Sequence, residues 1–279
     1  MHVRRVAPVF LFLVLLLAGC FQTHTVIFLN ADGSGTIEET VMLASFAINM
    51  ISGLDSTKAF SLADEEKLIA RQDSFGQGVS FEGYETLSQD GYVGYIAVYT
   101  FTDINLIHLT DNSDALQLGD DEQEANNQNA QGMNGLGLDN VSFDFEPGVL
   151  QILVPRATEA AETDIHPDSL AAETEKIRQQ MEEQGRMLRA FLGDAHLTAS
   201  IVFPGAITET NASFADSNRV TLADIVFGSM LDLMEENPEF AARMQLAQTE
   251  AQRQALLADM GESPEFRFET NESVYVRFD

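Results

Sequence analysis

The chain has 279 residues, 44 acidic and 15 basic, for a formal charge of −29 at pH 7. So negative a surface excludes nucleic acid and anionic head groups as general partners. Its one cysteine, Cys20, excludes a disulfide framework and any Cys-based metal site. With 45% apolar residues, the fold must stand on its core alone.

The N-terminus reads as an export signal. Arg4 and Arg5 precede an apolar run, "VFLFLVLLLA" (residues 9–18), that is short for a membrane span. The run ends in Leu17-Ala18-Gly19-Cys20, which resembles a bacterial lipobox. Such a signal implies cleavage between Gly19 and Cys20 and acylation of the cysteine at its sulfur and new amine. The mature protein is then expected in the cell envelope, anchored to a membrane through Cys20. Phe21 stands where an aspartate would signal inner-membrane retention, so the expected address is the periplasmic face of the outer membrane. Losing Arg4 and Arg5 leaves 13 basic against 44 acidic residues, a charge near −31. Only Lys58, Lys67 and Lys176 are lysines. This balance fits adaptation to high salt, where screening removes self-repulsion, or simply an acidic envelope protein.

The first predicted elements flank "LNADGSGTIEE" (residues 29–39). With Gly35 as the turn glycine of a calcium loop, Asn30, Asp32 and Ser34 occupy three ligand positions and Ile37 the apolar one. The position of the bidentate glutamate, however, holds Val41. The flanks "HTVIFLN" and "TIEETVML" are strand-like, the second alternating through Ile37, Val41 and Leu43 with Glu39 as its polar exception. A β-hairpin is therefore the expectation, with the glycines supplying positive φ.

"ASFAINMISGL" and "LADEEKLIARQDSF" follow as helices, the second with Leu62, Leu68 and Ile69 on its apolar side. A second hairpin turns at Asp90-Gly91, with Phe81 and Tyr84 in one arm and Tyr95, Ala97, Tyr99 and Phe101 alternating in the other. Residues 111–140 are rich in Asn, Gln, Asp and Gly without periodicity and read as a disordered surface loop, where Asp120, Asp121 and Glu122 form a solvated acidic run. A third hairpin, "VSFDFEPGVLQILVPR", turns at Pro147-Gly148, and residues 157–166 form a short linker.

Residues 167–192 are expected to be a helix lying on a sheet, with Leu170, Thr174, Ile177, Met181, Leu188 and Phe191 at helical spacing broken by Gln184. Three short strands follow, then a helical pair over residues 228–260 broken at Asn237-Pro238. "FRFETNESVYVRF" closes the chain as one strand. Its "ETNESVY" echoes "TETNASF" upstream, which is read as shared strand composition. Paired strands interrupted by helices define the fold class as α+β: an antiparallel, curved sheet built from hairpins with helices on one face. Residues 20–279 are expected to form a single domain.

No catalytic signature is present: no Gly-x-Ser-x-Gly, no His-Glu-x-x-His and no Walker or Rossmann glycine pattern. His24, His108, His166 and His196 are scattered and read as strand-edge or surface residues. No catalytic, metal-ligating or cofactor-binding residue is assigned. Asn140, Asn211 and Asn271 match the N-glycosylation pattern but read as strand composition in a bacterial lipoprotein.

Together, Cys20 in its lipobox, "NADGSGT" (residues 30–36), "DGYVGY" (residues 90–95) and "FPGAITETNASFADSNRVT" (residues 203–221) resemble the LppM-type family of bacterial lipoproteins. The chain departs from that pattern at Leu222, where an aromatic residue is usual, in the insertion at 111–140 and in the long excursion at 228–260. The resemblance implies an α+β domain of the lipid-handling kind, tethered to an envelope membrane, and brings no catalytic residues with it. The expected function is a non-enzymatic envelope lipoprotein with an apolar groove for a lipid or lipid-like ligand. A protein–protein interaction module, docking through a sheet edge or the helix at 168–192, is the alternative. A hydrolase built on two converging carboxylates is the third reading.

Overall fold

A computed structural model describes residues 21–46, 63–109, 141–154, 166–247 and 266–279, together with Ile48, Gln252 and Leu256. The signal segment, Cys20, the polar stretch at 111–140, most of the linker at 157–166 and the end of the 228–260 excursion lie outside the described residues.

The first hairpin is β1 (Phe21–Leu29) and β2 (Gly35–Ala44). Its turn forms because Gly33 adopts a φ of +86° that a side chain would resist, while Asn30 and Ser34 close the backbone with a 2.8 Å bond. The second hairpin, β3 (Val79–Gln89) and β4 (Tyr92–Phe101), turns through Asp90 and Gly91, both at positive φ. β2 pairs β4 over its whole length, from Gly35 opposite Phe101 to Ala44 opposite Tyr92. On β1's other side lies β8 (His196–Val202), then β11 (Arg219–Val226). Two short strands, β10 (Ala215–Asp216) and β12 (Phe266–Phe268), complete an eight-stranded sheet beside β11.

A second sheet runs β5 (His108–Leu109), β6 (Val141–Glu146), β7 (Val149–Leu153), β13 (Ser273–Phe278) and β9 (Ile207–Thr210). It sits at the end of the large sheet where β1 turns into β2. There the Ile104 N–H donates to the Gly33 carbonyl at 2.9 Å, a side chain on Gly33 would strike the Phe145 ring, and the Phe203 and Phe278 rings lie 5.0 Å apart. One apolar cluster runs through both sheets, from Ile27, Ile37 and Tyr99 to Leu150, Ile152 and Val274. Burial of this kind is the main force holding such a fold together.

Four helices complete the described fold: α1 (Glu65–Arg71), α2 (Pro167–Leu192), α3 (Phe227–Glu236) and α4 (Pro238–Leu246). Asp64 caps α1, its carboxylate accepting from the Glu66 and Lys67 N–H groups. Asn237 caps α4 in the same way through Phe240.

The α+β class stands, with large and mostly antiparallel sheets. Several details differ from the sequence reading. The strands divide between two sheets, and β1 and β8 run parallel. The closing stretch is two strands, because the chain leaves β12 in the large sheet, bends at residues 269–272 and enters the small one as β13. Helix α2 packs on α3 and α4 rather than on a sheet, with Ile177 buried against Ala241 and Ala242. Ile69, placed on the apolar side of α1, is 43% exposed, since a seven-residue helix buries only one narrow stripe, here Leu68. A bulge between Phe81 and Gly83 adds one residue to β3 and brings Phe81 and Tyr84 to one face, opposite Tyr99 and Ala97, where an unbroken strand would set them on opposite faces.

Candidate functional site

Every second residue of β1 and β2 is buried, and this inner face holds an ion pair at its centre. The exception in the alternation of β2, Glu39, is fully buried between Thr25 of β1 and Ala97 of β4 in register. Arg71, in the last turn of α1, reaches down to it. Its Nε donates to Oε1 at 2.9 Å and to Oε2 at 2.7 Å, and its Nη2 donates to Oε1 at 2.6 Å. The guanidinium also lies 5.3 Å from the centre of the Phe75 ring. Burial works against the charge on Arg71, but the Glu39 carboxylate more than offsets it and holds the guanidinium above its ordinary pKa. Tyr95 and Tyr99 border the pair, and burial first, then Glu39, pushes both phenols well up. The Tyr99 hydroxyl donates to the Leu68 carbonyl, tying sheet to helix at 3.3 Å. Chemically this pair is a structural bolt: both charges are spent on each other.

The outer face of the same strands is half-exposed and gathers a different group. His24 on β1 and His196 on β8 meet edge to face, with ring centres 5.1 Å apart. The His24 Nδ1 and the Thr198 hydroxyl share a hydrogen bond of 2.8 Å, and His196 Nε2 meets the Asp224 carboxylate of β11 at 2.8 Å. Register explains the assembly. His24 stands beside Thr198, and Thr198 beside Asp224, while His196 lies one row nearer the start of β1. Burial lowers the His24 pKa, His196 lowers it further, and Asp224 partly opposes them. Around this cluster the same face presents Val26, Phe28, Met42, Ile96 and Val98, all half-exposed.

His24, His108, His166 and His196, scattered along the sequence, do not all stay apart in the fold. The structure joins His24 with His196, leaves His108 on β5, and makes His166 the N-cap of α2, its Nδ1 accepting from the Asp168 N–H at 3.3 Å. Parallel pairing of strands 174 residues apart in register brings the two rings together, and no local pattern announces it. Arg71 as the partner of Glu39 was equally hidden, although Glu39 stood out as the polar break in an apolar alternation.

Another buried carboxylate, Glu269, ties the two sheets together at the bend between β12 and β13. It accepts from the Ser213 N–H and hydroxyl at 2.8 Å each and from the Asn271 N–H at 2.9 Å. Asn271 donates to the Asn211 carbonyl, and Asn211 accepts from the Tyr275 N–H at 2.7 Å. The two echoing "ETN" segments therefore lie side by side, their asparagines engaged with backbone.

In the β1–β2 turn, Asp32 accepts from the Ser34 N–H at 3.1 Å and from its hydroxyl at 2.6 Å, and Asn30 Nδ2 donates to the Ser34 hydroxyl. These bonds close the turn on itself. Among the described residues, no three His, Cys, Asp or Glu side chains gather where they could hold a metal ion, and no helix is long and apolar enough to cross a membrane.

No protein-family model matches the sequence, and no curated protein matches it. Among solved structures, the chain is similar to the folded domain of LppM from Mycobacterium tuberculosis, determined by NMR. The two align over 76% of this chain and 85% of that one, at 14% identity and a TM-score of 0.32. That LppM domain is a distant structural neighbour, and at this score it lends no weight to a functional statement.

Proposed function

We propose that the mature chain is a membrane-anchored, non-enzymatic lipoprotein of the cell envelope that binds a lipid or lipid-like apolar ligand. One observation carries the anchoring. Phe21, the residue after the lipobox cysteine, already belongs to β1 and is itself buried in the core. Cleavage between Gly19 and Cys20 thus removes the signal and leaves β1 from Phe21 onward in the mature chain. Mass spectrometry of the N-terminal peptide from membranes should find an acylated Cys20, and Cys20→Ser should move the protein to the soluble fraction. An unmodified cysteine in the native protein overturns the anchoring.

The ligand reading is supported by the contrast between the faces of the large sheet. The inner face is sealed, with Ile37, Val41, Ala97 and Tyr99 fully buried. The outer face offers Val26, Phe28, Ile96 and Val98 half-exposed around the polar His24 cluster. Apolar surface beside a few placed polar groups is the usual make-up of a site for amphiphiles. Its polar groups already hold one another, His24 with Thr198 and His196 with Asp224, which favours binding over chemistry. Delipidated Cys20→Ser protein should take up labelled phosphatidylcholine, and Phe28→Asp should weaken uptake several-fold. No uptake, with no co-purified lipid by mass spectrometry, removes the lipid reading and leaves the anchor.

A further inference from the structure

The tether has no linker, and that constrains how the folded domain meets the bilayer. Consecutive α-carbons are about 3.8 Å apart, so an acylated Cys20 holds Phe21 at the lipid interface. Phe21 pairs with Leu43, and Leu43 with Val93. The same rim carries the Asp90-Gly91 turn, joined to Ser45 by a 2.8 Å backbone bond, and the Asp194 carbonyl, which accepts from Gln22 at 3.4 Å. Phe46 stands on this rim 46% exposed, and Tyr92 beside Ala44 is half-exposed. The small sheet lies at the opposite end, beyond Gly33.

Resting on the lipoprotein reading, we propose that the anchored protein stands on end: the Phe46–Tyr92 rim of the large sheet contacts the bilayer, and the small sheet is held away from it. Strands of nine or ten residues set that standoff at about 30 Å, using about 3.3 Å per residue. Two arguments favour standing over lying flat. Laying the outer face on the membrane would desolvate Glu38, Glu85, Asp224 and the histidine pair, whereas the upright rim presents the Phe46 and Tyr92 rings, of the type that favour the interface. The chain is also strongly acidic. An upright posture holds Glu38 and Glu85, several residues along their strands from the rim, beyond the screening length of about 8 Å. It leaves the outer face open for a lipid molecule to reach.

The lone cysteine makes the test clean, because acylation of Cys20 leaves any introduced cysteine as the sole thiol. Gln89→Cys marks the rim and Ala31→Cys the far turn, and both positions are exposed. Each variant, purified acylated from membranes and carrying a thiol-linked fluorophore, goes into phosphatidylcholine vesicles containing a lipid with a nitroxide on its head group. Quenching at Gln89→Cys should exceed that at Ala31→Cys at least threefold. Equal quenching means a flat posture, and stronger quenching at Ala31→Cys means an inverted one; either overturns the proposal. Intact-mass measurement on the same samples separates the two failures. A protein without acyl chains defeats the lipoprotein reading and the posture with it, whereas an acylated protein with equal quenching defeats the posture alone.

Discussion

The two faces of the large sheet hold the same chemical ingredients and treat them differently. On the inner face a carboxylate and a guanidinium, Glu39 and Arg71, are sealed together, with side-chain exposures of 0% and 8%. On the outer face a carboxylate and an imidazole, Asp224 and His196, keep 33% and 31% of their side chains in water. Burial sets what each pair is for. A sealed pair cannot change charge without leaving its partner stranded in a low dielectric, so it locks α1 onto β2. A half-open pair can trade its partner for water or a ligand at small cost, so it suits a surface that meets ligands. The comparison predicts a gradient: the more buried the carboxylate, the larger the effect of removing it.

The largest effect belongs to Glu39. Glu39→Ala should cost about 3–5 kcal/mol in urea unfolding of the Cys20→Ser protein, because it strands the Arg71 charge. Replacing both partners together, Glu39→Leu with Arg71→Met, should recover most of that loss. A double variant as unstable as the single one would break the account, since the pair would then supply net attraction and not merely mutual neutralisation. Glu269 comes next. Its removal orphans the Ser213 and Asn271 N–H groups, at about 1–3 kcal/mol. The loss should be read at the junction of the sheets, as faster hydrogen exchange in β9 and β13.

The outer face should respond to pH instead. Burial and His196 hold the His24 pKa below its ordinary value near 6.5, so the folded state binds fewer protons there than the unfolded chain. This stability is fully present above pH 6.5 and declines as pH falls from there through the lower folded value. Denaturation midpoints between pH 8 and 5 should fall, and His24→Gln should flatten that decline. Asp224→Asn should steepen it, because Asp224 is the group that raises His24. At pH 8 the Asp224 substitution should cost no more than about 1 kcal/mol, as befits a pair open to water. A flat profile in the native protein would erase the distinction between the two faces.

What the sequence made legible follows the range of each interaction. The three hairpins were readable because alternation and turn residues are local: Asp90-Gly91, Pro147-Gly148 and the 30–35 turn each sit between their own strands. The division into two sheets was not, because it depends on β13 leaving β12 to pair with β7, more than a hundred residues earlier. Nor was the outer-face cluster, which depends on a parallel pairing between β1 and β8. Glu39 gave a partial signal, a charge where alternation called for an apolar residue. Such a break marks a buried pair, but its partner had to come from α1, outside any periodic pattern.

The smallest effect should come from Asp32, which stands exposed to water in the β1–β2 turn and so marks the open end of the gradient. Its bonds to Ser34 hold its carboxyl below the usual range, yet Asn at this position can accept the same bonds through its amide oxygen. Asp32→Asn should therefore leave the thermal midpoint unchanged within error, and Asp32→Ala should lower it slightly, by loosening the turn. Neither change should depend on calcium, because the Asp32 oxygen is turned onto Ser34 and Val41 stands where a calcium loop needs its glutamate. Calorimetric titration of the native protein with calcium should give no saturable micromolar heat that Asp32→Asn abolishes. If it does, the turn holds an ion, and the most exposed carboxylate in the series would be the one that binds rather than the one that matters least.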